Sequence, residues 1–141
     1  MLLVEPFRID KPISVLRAKA LTFPEGILGA YEQLDKALPN YQLRTHFGIS
    51  YPNPKGEIQY WAAMAVLDAD CGNTFGQEPF EIANGNYASI LIVDFYKNMH
   101  LVKQAFKELT ALPDIDPKGY CLEMMVSFKD VRCMVKLLDQ E

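Results

Sequence analysis

Ala37-Leu38-Pro39-Asn40-Tyr41-Gln42-Leu43-Arg44 has an echo later in the chain, split between Ala111-Leu112-Pro113-Asp114 and Tyr120-Cys121-Leu122-Glu123. In each copy an apolar pair runs into a proline and a polar residue that stop a helix, and a tyrosine then opens an alternating stretch. The second copy carries an extra loop, Ile115 to Gly119, between its two parts. Similarity of this kind marks a duplicated unit.

Working outward from the first copy, Ile27, Tyr31, Leu34 and Leu38 recur at intervals of four and three, which is one face of a helix. Pro24 and Glu25 suit that helix's first turn, where proline sacrifices no hydrogen bond and an acid meets the positive end of the dipole. Before it, the run from Pro12 to Phe23 holds Ile13, Val15, Leu16, Ala18, Ala20 and Leu21 and predicts a strand. After it, Gln42 to Tyr51 predicts a second strand, Pro52-Asn53-Pro54-Lys55-Gly56 a turn, and Glu57 to Leu67 a third strand. The stretch from Asp68 to Asn86 is rich in Gly, Asn, Asp and Pro and reads as a connector.

Around the second copy the order recurs. Tyr87 to Val93 predicts a strand, and Asn98 is placed to cap a helix with Val102, Ala105, Phe106, Leu109 and Leu112 on its buried stripe. Tyr120 to Phe128 and Val131 to Leu138 then form a hairpin about Lys129-Asp130. The pseudo-repeats cover about residues 12–67 and 82–138 of one domain of 141 residues. Six strands and two helices predict an α+β fold: an antiparallel sheet with both helices on one face and a ligand groove on the other.

Composition narrows the function. Fourteen Lys and Arg against 18 Asp and Glu leave a net charge of −4, with no basic run, which argues against direct nucleic-acid binding. The densest apolar stretch, Ile90-Leu91-Ile92-Val93, is far too short to span a bilayer, and the N-terminal apolar run stops at Glu5-Pro6, so a cytoplasmic protein without membrane contact is expected. Cys71, Cys121 and Cys133 are odd in number and widely spaced, which reads as buried free thiols in a reducing compartment. His46 and His100 have no zinc spacing, so no metal or cofactor is expected. Gly48-Ile49-Ser50-Tyr51-Pro52 begins like a nucleophile elbow but ends on proline.

Two residues carry a candidate site. Alternation along Tyr120 to Phe128 separates Leu122, Met124, Val126 and Phe128 from Cys121, Glu123, Met125 and Ser127. With the first set under the helices, Glu123 stands on the open face, where it is solvated, paired with Arg44 of the first repeat, or desolvated and able to receive a cation. With Met64 and Val66 under the helices, Trp61 also lies on the open face, beside Ala63 and Ala65. An aromatic plane beside a carboxylate suits a flat organic cation, the ring contributing about 0.5–2 kcal/mol. Phe95, Tyr96 and Tyr51, with the flexible Met99 and Met125, are candidates for the remaining walls.

Phe47-Gly48-Ile49-Ser50-Tyr51, Tyr60-Trp61-Ala62-Ala63, Ile82-Ala83-Asn84-Gly85-Asn86-Tyr87-Ala88 and Leu122-Glu123, within the duplicated order, resemble the GyrI-like effector-binding domain. That family occurs alone or behind AraC- and MerR-type DNA-binding domains, and the likeness covers about residues 4–139. The resemblance implies that Glu123 faces a ligand between the repeats. Met125 stands where the family commonly has tyrosine, and Asp94-Phe95-Tyr96-Lys97 replaces a glycine-containing turn. The repeat pair takes up the 141 residues with no helix-turn-helix, so a free-standing sensor or binding module is expected. The leading expectation is binding of hydrophobic, cationic multi-ring compounds, with a separate regulator protein or a homodimer as partner. The alternatives are hydrolysis of strained electrophilic compounds with Glu123 as proton donor or base, for which Met125 removes a natural partner so that no turnover is expected, and protein-only inhibition. Haem binding, known on a related fold, would have only His46 or His100 as ligands.

Overall fold

The computed structural model describes residues 2–52 and 54–139; Asn53, in the predicted turn, lies outside the described residues. In chain order the elements are β1 (Glu5–Ile9), β2 (Ile13–Lys19), α1 (Ile27–Ala37), β3 (His46–Pro52), β4 (Ile58–Ala65), β5 (Glu78–Ile82), β6 (Gly85–Ile92), α2 (Met99–Leu109), β7 (Cys121–Met125) and β8 (Val131–Lys136). They divide into two compact units. One runs from Pro12 to Ile82, and the other joins Met1–Lys11 to Ala83–Glu141. Within the first the strand order is β3-β4-β2-β5, and within the second β7-β8-β6-β1, with every pairing antiparallel. The predicted α+β class and duplication are therefore observed, with eight strands among the described residues in place of six.

β1 and β5 are the two additions. Their sequences are Glu5-Pro6-Phe7-Arg8-Ile9 and Glu78-Pro79-Phe80-Glu81-Ile82, a five-residue repeat differing at one position. Each is the outermost strand of its unit. Proline, which cannot donate to a ladder, is admissible there and blunts the exposed edge against further pairing. The same prolines, set among turn-forming residues, made residues 78–82 read as part of the connector.

The helices form where the apolar stripes place them. Ala30, Leu34 and Leu38 are buried against Leu16, Ala18, Tyr60, Ala62 and Met64, with Ile27 and Tyr31 alongside. Ala105 and Leu109 pack on Ala88, Ile90, Ile92, Val131, Cys133 and Val135, flanked by Val102, Phe106 and Leu112. Pro24 and Glu25 lie in the turn before α1 rather than inside it, and Ile27 N donates to Pro24 O. Asn98 occupies the cap position of α2, but its side chain donates backward to the carbonyls of Val93 and Asp94 instead of accepting from the helix. At the start of α1 a Cβ on Gly26 would come within 2.7 Å of Thr22 O and 2.8 Å of Thr22 N, both immobile backbone atoms. Gly26→Ala is expected to lower stability by about 1–3 kcal/mol, read from denaturant melts, because the added methyl has nowhere to go.

The predicted strand from Gln42 begins late. Tyr41–Leu43 is a 3-10 turn, and Arg44 precedes β3 with its side chain fully buried. Arg44 Nη2 and Nη1 donate to Asp70 Oδ1 (2.6 Å) and Oδ2 (2.7 Å), and the remaining guanidinium donors reach the carbonyls of Pro39 and Ala65. The partner of Arg44 is thus Asp70, in the predicted connector, and not Glu123.

Candidate functional site

Two sheet faces matter, one in each unit. In the unit containing α2, Cys121 and Met125 pack into the cluster beneath that helix, together with Phe95 and Phe106. Glu123 pairs with Cys133, a buried member of the same cluster, so Glu123 projects from the α2 face of β7. Leu122, fully buried, lies on the opposite face, opposite Met134. This reverses the predicted orientation. Alternation points the wrong way because the strand's one charged residue, Glu123, lies on the face toward α2, while apolar Leu122 and Met124 lie on the other.

Glu123 is half-buried there. Burial, and then the negative charge of Glu123, push the Cys133 thiol well above its ordinary range. In the folded protein Cys133 is expected to resist a thiol reagent at pH 8 while exposed Cys71 reacts at once; unfolding in denaturant should release Cys133. The exposure of Cys71 also corrects the expectation that all three thiols are buried.

Of the other predicted wall residues in this unit, Met125 and Phe95 border the α2 cluster. Phe95 stacks on Tyr96 with ring centroids 4.2 Å apart. Tyr96 and Met99 are exposed, at 71% and 58%, beside the first turn of α2. The Phe95 amide donates to Lys129 O, which ties this segment to the tip of the β7–β8 hairpin.

Trp61 and Tyr51 belong to the other unit. Tyr60, Ala62 and Met64 face α1, which sends Trp61 to the far face of its sheet, as predicted; Val66 lies beyond the end of β4 and is exposed. Trp61 Nε1 donates to Tyr51 Oη at 3.0 Å. The space expected beside the alanines holds Arg17, whose Cζ lies 3.9 Å from the Trp61 ring centroid. Trp61 and Glu123 therefore occupy opposite kinds of face, one away from its unit's helix and the other toward it.

An aromatic group absent from the sequence reading lies under α1. Tyr31 Oη donates to Phe47 O at 2.7 Å and stands 3.1 Å from Tyr60 Oη. Phe23 stacks on Tyr60 and His46 on Tyr31, with centroids 6.0 and 6.2 Å apart. The clue was Tyr31 itself, a polar-tipped aromatic on an otherwise aliphatic stripe. Elsewhere, a cleft of about 400 Å³ opens beside Phe7, Arg8, Tyr87, Asp114 and Leu137, and none of the seven predicted residues lines it. Among the described residues no three His, Cys, Asp or Glu side chains are placed to hold a metal ion, and no helix is long and apolar enough to cross a membrane.

No protein-family model matches the chain, and no curated protein is similar to it in sequence. Solved structures do share the fold. An integron cassette protein from the mobile metagenome of Vibrio cholerae aligns over 96% of this chain and 95% of its own, with a TM-score of 0.64 and 12% identity. SAV2435 bound to tetraphenylphosphonium aligns over 97% and 94%, with a TM-score of 0.63 and 10% identity. A hydrolase from Listeria innocua aligns over 95% and 92%, with a TM-score of 0.54 and 10% identity. At such identities the likeness is one of fold.

Proposed function

We propose that this chain is a GyrI-like binding protein for hydrophobic cations of several rings, with Glu123 as the neutralising carboxylate. The observation that carries the proposal is the half-buried position of Glu123 on a strand face shared with Cys121, Met125 and Cys133. Half-buried beside Cys121, Met125 and Cys133, the carboxylate is partly desolvated, so a bulky cation that sheds its own water cheaply suits it better than a small, strongly hydrated one. Phe95 and Met125 supply apolar wall, and exposed Tyr96 and Met99 supply a ring and a pliable thioether at the rim. The tetraphenylphosphonium carried by one fold neighbour belongs to this ligand class.

Calorimetric titration with tetraphenylphosphonium, beside neutral triphenylphosphine oxide, tests the proposal. The expected result is saturable binding of the cation that weakens about tenfold or more in Glu123→Gln, equivalent to about 1.4 kcal/mol per decade. The neutral compound should bind weakly and alike to both proteins. Equal cation affinity in wild type and a folded Glu123→Gln would overturn it.

A further inference from the structure

Arg17 is held in a way that resembles a bound ligand more than a surface side chain. From β2 its guanidinium reaches Trp61 of β4 on one side and Phe80 of β5 on the other, with Cζ 3.9 and 4.2 Å from the two ring centroids. Its Nε and Nη2 both meet a single carboxylate oxygen, Glu78 Oε2, at 2.6 Å. Trp61 is steadied in turn by its bond to Tyr51. Two aromatic faces and one acid around a cation are the components of an aromatic cage.

The fit of the arginine is imperfect. Its side chain is only 12% exposed, and Nη1 is buried without a hydrogen-bond partner among the described residues. A buried donor left unsatisfied detracts from the stability of the closed arrangement. A quaternary ammonium has no N–H to satisfy, and its methyl groups present diffuse positive charge to both rings. Glu78, whose side chain is 50% exposed, marks the side on which the cage meets solvent. Among its described residues the other unit has no such cage: Ser89 occupies the position equivalent to Arg17, and Arg132 lies over Phe7 at 4.9 Å.

We infer that Trp61, Phe80 and Glu78 form a cation site for small quaternary ammonium groups, with Arg17 as its built-in, displaceable occupant. The inference stands on residues of the Pro12–Ile82 unit alone and is independent of the role assigned to Glu123.

Titration of Trp61 fluorescence with tetramethylammonium, against sodium at equal ionic strength, tests it. Arg17→Ala should bind tetramethylammonium at least tenfold more tightly than wild type, with saturable quenching. Adding Glu78→Gln or Phe80→Leu to Arg17→Ala should abolish that gain, whereas adding Glu123→Gln should leave it intact. No saturable binding to folded Arg17→Ala would overturn the inference, and so would a gain insensitive to both Glu78 and Phe80. Should Arg17→Ala not fold, wild type supplies the deciding measurement: the Arg17 Nε–H resonance should shift progressively with tetramethylammonium and not with sodium. An unmoved resonance at saturating salt would overturn it equally.

Discussion

Asp70→Ala is expected to destabilise the protein by about 3–5 kcal/mol, because it leaves the Arg44 guanidinium buried with its charge uncompensated. The two side chains are 0% and 2% exposed, so water cannot take over for the lost carboxylate. For a chain of this size the thermal midpoint should fall by roughly 10–17 °C. A control lies in Arg8 and Asp10, whose 3.3 Å contact joins side chains 57% and 85% exposed; Asp10→Ala should change stability by no more than about 0.5 kcal/mol. The double replacement Arg44→Met with Asp70→Leu should recover much of the loss, since removing both charges also removes both desolvation costs. A single Asp70→Ala no more harmful than Asp10→Ala would mean that the pair contributes shape and not charge.

The same pair predicts a dependence on pH. The hydrogen bonds and charge of Arg44, with the Leu67 amide, hold the Asp70 carboxyl below its ordinary value against the opposing effect of burial. A carboxyl whose folded pKa is depressed releases its proton more readily in the folded state. Its stabilising contribution is therefore complete above the unfolded value near 3.9, and is lost as pH falls through the lower folded value. Denaturant melts between pH 6 and pH 2.5 should show stability falling in wild type at the acid end. The fall should be shallower in Asp70→Ala.

How much of this was legible depended on whether solvent left its mark on the sequence. The stripes Ile27-Tyr31-Leu34-Leu38 and Val102-Ala105-Leu109 were readable because each helix has one wet side, so polar residues interrupt the apolar ones at helical spacing. In β7 the one charged residue, Glu123, stands on the face toward α2 and apolar Leu122 and Met124 on the other, so a polar-out reading of parity turns the strand the wrong way. The likeness of Tyr41-Gln42-Leu43-Arg44 to Tyr120-Cys121-Leu122-Glu123 equates Arg44 with Glu123, yet Tyr41–Leu43 is a 3-10 turn and Arg44 precedes its strand. The pairings Glu123–Cys133 and Gly48–Ala62 instead make Gly48 the structural counterpart of Glu123, both standing opposite buried residues that lie beneath their helices. The plainest signal, Glu-Pro-Phe-X-Ile at residues 5–9 and 78–82, went unread because proline argues against a strand everywhere except an edge. Trp61 was placed on its correct face, but the cation already against it comes from Arg17, two strand positions before Lys19, its ladder partner.

The two ends of α2 separate stability from binding. Leu109 is fully buried in the cluster with Ile90, Cys133 and Val135, and Leu109→Ala should cost about 2.7–5 kcal/mol through lost burial and the cavity left behind. Met99, one helix length earlier and 58% exposed, has little packing to lose, so Met99→Ala should stay within about 0.5 kcal/mol of wild type. If Met99 forms the rim of the Glu123 site, its effect will appear in the affinity for tetraphenylphosphonium and not in the melt. Leu109→Ala should show the converse below its melting range: reduced stability, with near-normal affinity per folded molecule, because its side chain lies beneath the helix. Equal stability losses at the two positions would contradict the amphipathic placement of α2. Unchanged affinity in Met99→Ala, alongside a large loss in Glu123→Gln, would move the rim away from the first turn of α2 while leaving the carboxylate in place.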